Sequence, residues 1–308
     1  MKKFLFGVML MASMLITSCE KNQDLGVAAT DEATLSFNVT TPLIQNRAFS
    51  DGYSATKLQY AVYNSNGEIL NNLTVTNATM NDDLTATVSF KLTVGNTYSF
   101  IFWAAHPDAP YNVDLAAKTM TVDYTGAVCN DEKRDAFYAY VEPFKVVGSD
   151  SKTVELKRPF AQLNVGVNDF VDSTNAGYTV AQSRIEAPAY ETLNLETGVV
   201  SNLAVRTFDF ANIPDSSEVF PVANYEYLAM SYLLMAADPE VVEVKFFYND
   251  TTSAVVDPDK GRTVGSVPVQ RNHRTNIYGQ ILTANLGFTV VIKPGYDDDA
   301  HQKPVDSL

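Results

Sequence analysis

Short segments with the composition and alternation of β-strands recur along the whole chain, separated by turns rich in Asn, Gly, Asp and Pro. In residues 85–92, for example, Ala86, Val88, Phe90 and Leu92 occupy alternate positions, as in a strand with one buried face. No segment keeps a 3.6-residue apolar period over three turns, although residues 181–193 are expected to contain one short helix. The pattern predicts an all-β fold of antiparallel sandwich type. The other predicted strands are residues 34–43, 58–63, 68–75, 98–103, 136–144, 227–235, 241–248, 264–269, 276–283 and 286–292.

The length of 308 residues favours two domains over one. The strand pattern pauses at residues 148–151, a Gly/Ser/Asp cluster, and Pro159 follows shortly afterwards. This is a usual composition for a linker. We therefore expect an N-terminal domain over residues 33–153 and a C-terminal domain over residues 154–308.

The N-terminus has the features of an export signal. Residues 1–3 are basic, residues 4–16 form an almost unbroken apolar run, and small residues precede Cys19. The run is too short to span a bilayer as a stable helix. Residues 15–19 resemble a bacterial lipobox, in which cleavage leaves Cys19 as a diacylated N-terminus that anchors the protein to a membrane surface. An ordinary secretory signal with an incidental cysteine is the alternative. Residues 20–32 are small and polar, which predicts a flexible tether.

The first predicted strand follows this tether directly. Residues 34–43 alternate between apolar side chains and the polar Ser36, Asn38 and Thr40. One cut between Arg47 and Ala48 would release the lipid anchor and this strand together. The sheet that had held the strand would then carry an open apolar groove, which suits a subunit made to polymerise. The side chains predicted to fill the groove are Leu35, Phe37, Val39 and Leu43.

Charge and motifs argue against nucleic-acid binding and catalysis. The net charge is −14, with no basic patch to offset it, which disfavours nucleic acid and anionic lipid as partners. His106, His273 and His301 lack metal-ligand spacing, and the acidic run 297–299 lacks the spaced ligands of a calcium loop. The chain has no nucleophile elbow, phosphate-binding loop or CxxC pair, so we predict no catalytic residue, cofactor or metal site. A glycosidase-type carboxylate pair stays open, because one sequence does not reveal it. Cys129 is expected to be a small packed hydrophobe.

Three stretches resemble one known family. Residues 267–283, which contain Arg271-Asn272-His273-Arg274, resemble the hallmark segment of Bacteroidales fimbrillin-like proteins, the type V pilins. Residues 156–163 are similar to the start of their C-terminal domain, and residues 46–49 resemble their maturation site. The resemblance implies two tandem transthyretin-like β-sandwich domains with Greek-key topology, and export as a lipidated precursor to the outer membrane. It also implies cleavage by an arginine-specific protease, polymerisation with other pilin subunits into a surface fimbria, and a role in cell adhesion.

The last predicted strand provides a candidate for the polymer contact. Leu286, Phe288, Val290 and Ile292 share one face of residues 286–292. Leu, Phe and Val follow one another there in the same order and at the same two-residue spacing as Leu35, Phe37 and Val39. We hypothesise that this strand of one subunit replaces the first strand of another in like orientation. The alternative is that it stays in the sheet of its own domain.

Other functions remain as alternatives. A monomeric surface lipoprotein would bind a glycan or a host ligand, with Trp103, Tyr111 and the Tyr/Phe-rich strands as a stacking platform for sugar rings. A buried core role is favoured for most of these aromatics. An enzyme ranks behind it, since no catalytic constellation is found. Within a fimbria, the tail after Ile292 has no second apolar strand, so a tip or minor subunit is an alternative to a stalk subunit, and an uncut anchor is another.

Overall fold

Alternating apolar side chains fold most of the chain into extended strands. The structure is a computed structural model that describes residues 31–42, 49–175, 177, 179–216, 218–249, 261–283 and 288–293. These residues contain one short α-helix, α1 (Phe170–Asn175), and 3₁₀ turns at Asn71–Leu73 and Glu132–Arg134. The strands are β1 (Glu32–Thr40), β2 (Lys57–Tyr63), β3 (Val75–Thr79), β4 (Thr85–Thr93), β5 (Thr97–Ala105), β6 (Tyr111–Asp114), β7 (Thr119–Val122), β8 (Ala136–Lys145), β9 (Asp150–Glu155), β10 (Phe160–Val167), β11 (Gln182–Ala189), β12 (Thr192–Asn194), β13 (Val200–Ser201), β14 (Ala204–Asn212), β15 (Glu226–Leu234), β16 (Glu240–Asn249), β17 (Gly261–Val269), β18 (Arg274–Gly279) and β19 (Phe288–Lys293).

Strands from the first half form two sheets around a shared apolar core. One sheet has the order β4-β1-β9 and the other β3-β2-β5-β8. Phe37 from β1, Phe90 from β4 and Phe100 from β5 belong to the same buried cluster. Since side chains of both sheets meet in this cluster, the two sheets pack as a sandwich.

Strands from the second half form a comparable pair of sheets. Their orders are β15-β10-β18-β19 and β14-β11-β16-β17. Leu163 from β10, Phe208 from β14 and Phe246 from β16 share a second buried cluster. β10 pairs antiparallel with β15 and parallel with β18, just as β1 pairs antiparallel with β4 and parallel with β9. The two halves therefore repeat one strand arrangement.

A small sheet of order β13-β12-β7-β6 combines strands from both halves. β7 pairs antiparallel with β12, from Thr192↔Thr121 to Asn194↔Thr119. A third buried cluster lies with it and includes Trp103, Phe160, Leu193 and Tyr232. The described residues from Glu32 to Lys293 accordingly belong to one compact unit.

The predicted all-β fold is confirmed, but the short helix predicted within residues 181–193 is wrong. This segment contains β11, in which Ser183, Ile185, Ala187 and Ala189 are buried and the residues between them are half-buried. Burial at every second position requires extended backbone, because a helix would turn these side chains to different faces. Among the described residues, no helix has the length and apolar character needed to cross a membrane.

Candidate functional site

β1 is the central strand of its sheet. It pairs antiparallel with β4 from Glu32↔Thr93 to Thr40↔Thr85, and parallel with β9 from Leu35↔Asp150 to Thr40↔Glu155. The ladder continues past the strand, because Thr41 N–H donates to the Leu84 carbonyl at 3.1 Å and Leu156 N–H donates to the Thr40 carbonyl at 2.8 Å. Backbone hydrogen bonds thus hold β1 along both of its edges.

The inward face of β1 lies in the core of the first sandwich. Leu35 is 1% exposed, and Phe37 and Val39 are completely buried. The ring centroid of Phe37 lies 4.7 Å from that of Phe100 and 5.3 Å from that of Phe102. Burying three large apolar side chains contributes roughly 5–9 kcal/mol before entropic costs are subtracted. Leu35, Phe37 and Val39, the side chains predicted to fill the groove, all lie in this core, and their role in assembly stays a prediction. Leu43 lies outside the described residues.

The outward face of β1 is polar. Ser36 and Ser89 share a hydrogen bond of 2.8 Å between their hydroxyl groups, and Asn38 is exposed. The strand therefore has one face that packs in the core and one that faces solvent. Its removal would leave an apolar groove between β4 and β9, with unpaired backbone groups along both sides.

The described chain resumes at Phe49, the second residue after the predicted cut, and Ser50 is completely buried. Ser50 N–H donates to Glu132 Oε2 at 3.0 Å, and its carbonyl accepts from Arg158 Nη2 at 2.6 Å. Its hydroxyl shares a hydrogen bond of 2.7 Å with that of Tyr232. The Tyr232 hydroxyl also donates to Glu132 Oε1 at 2.9 Å. These contacts, called here the Ser50 anchor, hold the chain by its backbone and its side chain.

A buried ion pair supports this anchor. Arg158 Nε lies 2.7 Å from Asp135 Oδ1 and Arg158 Nη2 lies 2.8 Å from Asp135 Oδ2, with both side chains at 0% exposure. Burial raises the pKa of Glu132 to about 8, and repulsion from Asp135 acts in the same direction. Burial also raises the pKa of Asp135, against the opposing effect of Arg158. Sequence reasoning missed all five polar members of this network, which are Ser50, Glu132, Asp135, Arg158 and Tyr232. The available signal was Arg158, a charged residue next to Pro159 and Phe160 at the start of a strongly apolar strand.

The structure places the predicted donor strand in its own sheet. β19 pairs antiparallel with β18, from Gly279↔Phe288 to Arg274↔Lys293, and is an outer strand of the sheet as described. Val290 packs against the second-half core, Val291 is buried and Ile292 is half-buried. Leu286 and the Phe288 side chain lie outside the described part. In this conformation the strand therefore stays in the sheet of its own domain, which was the alternative given in the sequence analysis.

Of the other residues singled out in the sequence, some lie outside the described ranges and the others are packed inside the protein. Cys19, Arg47 and Ala48 lie outside the described residues. Trp103 is 1% exposed, and the half-buried Tyr111 stacks on Phe160 at 5.2 Å, which agrees with the core role favoured for these aromatics over a stacking platform. Cys129 is buried, and burial raises the pKa of its thiol to about 12, which confirms it as a packed side chain. Within the described ranges, no group of three His, Cys, Asp or Glu side chains could hold a metal ion.

A half-open cavity of about 500 Å³ lies beside β8. Arg271, from the segment that carries the family resemblance, helps to form its wall. Its Nη1 donates to the Tyr138 hydroxyl at 3.2 Å, its Nη2 to the Gly198 carbonyl at 2.7 Å and its Nε to the Met235 carbonyl at 3.0 Å. Tyr140, Glu155, Lys157 and Glu196 also line the cavity. The lining thus combines aromatic rings with charged groups of both signs.

Comparison with known proteins gives one family match and several similar folds. A model of a family of unknown function, DUF6562, matches residues 26–306. No curated protein matches the chain. Solved structures similar to this chain include the fimbrial anchor protein Mfa2 of Porphyromonas gingivalis, with 11% identity, a TM-score of 0.48, and coverage of 85% of this chain and 97% of that one. They also include the tip fimbrial protein Mfa3 of the same organism, with 12% identity, a TM-score of 0.47, and coverage of 85% and 99%. A fimbrial assembly protein from Parabacteroides distasonis has 12% identity, a TM-score of 0.46, and coverage of 89% and 100%.

Proposed function

The chain belongs to the family of unknown function DUF6562, and we propose that it is a structural subunit of a surface fimbria that polymerises by strand exchange. In this proposal residues 1–19 are a lipoprotein signal, Cys19 is fatty-acylated, and residues 20–32 are a tether. The acylated precursor reaches the outer membrane, where an arginine-specific protease cuts between Arg47 and Ala48. Residues 33–47, the first part of the N-terminal domain 33–153, leave as a propeptide strand. Residues 48–153 of that domain and the C-terminal domain 154–308 remain in the mature subunit.

The observation that carries the proposal is the position of β1. β1 runs between β4 and β9, with strands paired along both of its edges, and places Leu35, Phe37 and Val39 in the core. Release of β1 after the cut costs free energy, because its backbone hydrogen bonds and its buried apolar area are lost. Exchange for a strand of matching pattern restores both, so cleavage and polymerisation are coupled physically.

The groove that removal of β1 would leave between β4 and β9 sets the requirements for the incoming strand. It must run parallel to β9 and antiparallel to β4, and it must present apolar side chains at two-residue spacing. Residues 286–292 meet the second requirement with Leu286, Phe288, Val290 and Ile292. Four buried side chains of this kind would contribute roughly 6–12 kcal/mol before association costs are subtracted. The donor has to give up its pairing with β18, which involves only one of its edges in the described sheet.

The N-terminus of the protein recovered from cells tests the proposal. We expect Ala48 as the first residue of polymerised material, and SDS-resistant ladders after digestion of the purified precursor with an arginine-specific protease. An Arg47→Lys variant is the matched control, since it keeps the charge but removes the arginine that the protease recognises. Recovery of acylated Cys19 from assembled fibres would contradict the proposal.

This function is non-enzymatic and places the protein at the cell surface, where its partners are other pilin subunits. Contact of the fibre with host or bacterial surfaces would support cell adhesion. The maturation protease is a transient partner. No cofactor is needed, because strand exchange involves no covalent chemistry after the cut.

Binding of a glycan or host ligand by a monomeric surface lipoprotein is the second candidate function, and the cavity beside β8 is the observation that favours it. Tyr138 and Tyr140 offer aromatic surface, and Glu155, Lys157 and Glu196 offer hydrogen-bonding groups for sugar hydroxyls. Calorimetric titration with neutral and acidic oligosaccharides tests it. Binding that is lost in Tyr140→Ala and retained in Tyr53→Ala, an exposed tyrosine elsewhere, would support this function.

A further inference from the structure

A second buried carboxylate holds the chain ahead of the last strand. Asp169 is completely buried and accepts hydrogen bonds from the backbone N–H groups of Ile281 at 3.3 Å, Leu282 at 2.9 Å and Thr283 at 2.9 Å. The Thr283 hydroxyl donates to the same carboxylate at 3.0 Å. Hydrogen bonds to an ionised acceptor are stronger than neutral ones, so four donors on one carboxylate make a firm attachment. We call this group the Thr283 anchor.

The Ser50 anchor depends on its surroundings for its backbone conformation as well. Ser50 has a φ of 64°, in the left-handed region that residues other than glycine rarely adopt. Such a conformation persists only where neighbouring contacts determine it. Glu132, Arg158 and Tyr232 supply those contacts, and Phe49 adds an edge-on contact with Tyr227 at 5.0 Å.

Both anchors consist of groups that strand exchange leaves in place. Glu132 lies in a 3₁₀ turn, Arg158 precedes β10 and Tyr232 is on β15, whereas β1 pairs with β4 and β9. Asp169 follows β10, whereas β19 pairs with β18. Removing the ladder hydrogen bonds of β1 or β19 therefore removes none of the hydrogen bonds to Ser50 or Thr283 given above.

We propose that Glu132 and Asp169 are positioning residues that set the limits of strand exchange. β1 leaves the fold ahead of Ser50, β19 leaves it after Thr283, and the body between these two residues stays folded. The inference rests on the strand exchange proposed above and identifies the residues that confine it. Without the anchors, opening of either strand would spread into the segment next to it.

Native-state hydrogen exchange on the uncut full chain tests this directly. At low denaturant concentrations, we expect the amides of β1 and β19 to exchange by partial openings about tenfold or more faster than those of Ser50, Leu282 and Thr283. Exchange of Ser50 in step with β1, or of Thr283 in step with β19, would overturn the proposal. The measurement requires neither cleavage nor polymerisation, so failure of the proposed function shows separately, as missing ladders from digested protein.

Variants of the two carboxylates test the residues themselves. We expect Asp169→Ala to accelerate exchange at residues 281–283 by about 100-fold and to leave the β15 amides unchanged, because only the local acceptor is lost. Asp169→Asn keeps one acceptor oxygen and should restore part of the protection, which simple loss of packing would not predict. Asp172→Ala changes an exposed carboxylate of α1 and serves as the control.

The same comparison applies at Ser50, with Glu132→Ala, Glu132→Gln and the exposed-site control Glu142→Gln. If an alanine variant fails to fold, the comparison of its conservative variant with wild type decides. Exchange at Ser50 or at residues 281–283 that equals the control in every variant would overturn the assignment.

Discussion

The ring of Phe37 on β1 lies 4.7 Å from the ring of Phe100 on β5, with an interplanar angle of 58°. This contact joins the two sheets of the first sandwich through a strand that the proposed maturation removes. Phe37→Ala should destabilise the uncut protein by about 3–5 kcal/mol, because it leaves a cavity in a tightly packed aromatic cluster. Asn38→Ala, on the exposed face of the same strand, should change the unfolding free energy by less than about 0.5 kcal/mol. Urea unfolding of the three proteins checks this, and equal midpoints would contradict the role of β1 in the core.

Two aspartates on the last strand should block polymerisation. The double variant Phe288→Asp/Val290→Asp would insert two charges into the apolar groove between β4 and β9 of the next subunit. Burying unpaired charges is strongly unfavourable. We expect digested protein to remain monomeric, without SDS-resistant ladders. Val241→Asp changes a residue of β16 that is 69% exposed, and it should polymerise normally. Intact fibres from the double variant would refute the donor assignment.

Removing one partner of the buried Asp135–Arg158 ion pair should lower the stability more than replacing both partners with apolar residues. Asp135→Ala leaves the Arg158 guanidinium buried without its carboxylate, and we expect a loss of about 3–5 kcal/mol of stability. The double variant Asp135→Leu/Arg158→Leu should lose less, since no charge is then left buried. Asp150→Ala, in the exposed Lys152–Asp150 pair at 3.0 Å, should cost no more than about 1 kcal/mol. The order of denaturant midpoints among these variants measures the effect.

Stability should fall as the pH rises through the range in which Glu132 titrates. Burial raises the pKa of Glu132 from its ordinary value of 4.5 to about 8, so the folded protein retains a proton that the unfolded chain has already released. The free energy of unfolding then decreases between these two values, by at most about 1.4 kcal/mol per pH unit. Asp135, Asp51, Tyr232 and Arg158 share this environment, and the raised pKa of Asp135 acts in the same direction.

Glu132→Gln removes the titrating group and should flatten this pH dependence, whereas the exposed-site variant Glu142→Gln should preserve it. Unfolding midpoints measured from about pH 5 to about pH 8 compare the three proteins. An unchanged slope in Glu132→Gln would show that another group titrates in this range.

Local periodicity was enough to locate most of the strands. β4, β5 and β15 lie where alternation or a doubly covered apolar run predicted them, and β1 has the expected buried face. The segment that forms β11 was misassigned because its buried positions include Ser183 and two alanines, which give a weak apolar signal. The polar anchors were missed for a related reason. A half-buried Glu132 or a buried Asp169 resembles a surface carboxylate in the sequence, since its partners lie about 80 to 115 residues away along the chain.

The sequence by itself determined which side of each strand is apolar, because side chains alternate strictly along extended backbone. It therefore identified Leu35, Phe37 and Val39 as one buried row before any partner was known. Only the tertiary structure decided that this row lies between β4 and β9, and that Ser50 and Thr283 are held by distant carboxylates. Strand pairing and burial of polar groups depend on which distant segments come together in the folded chain. Local apolar periodicity does not specify those long-range partners.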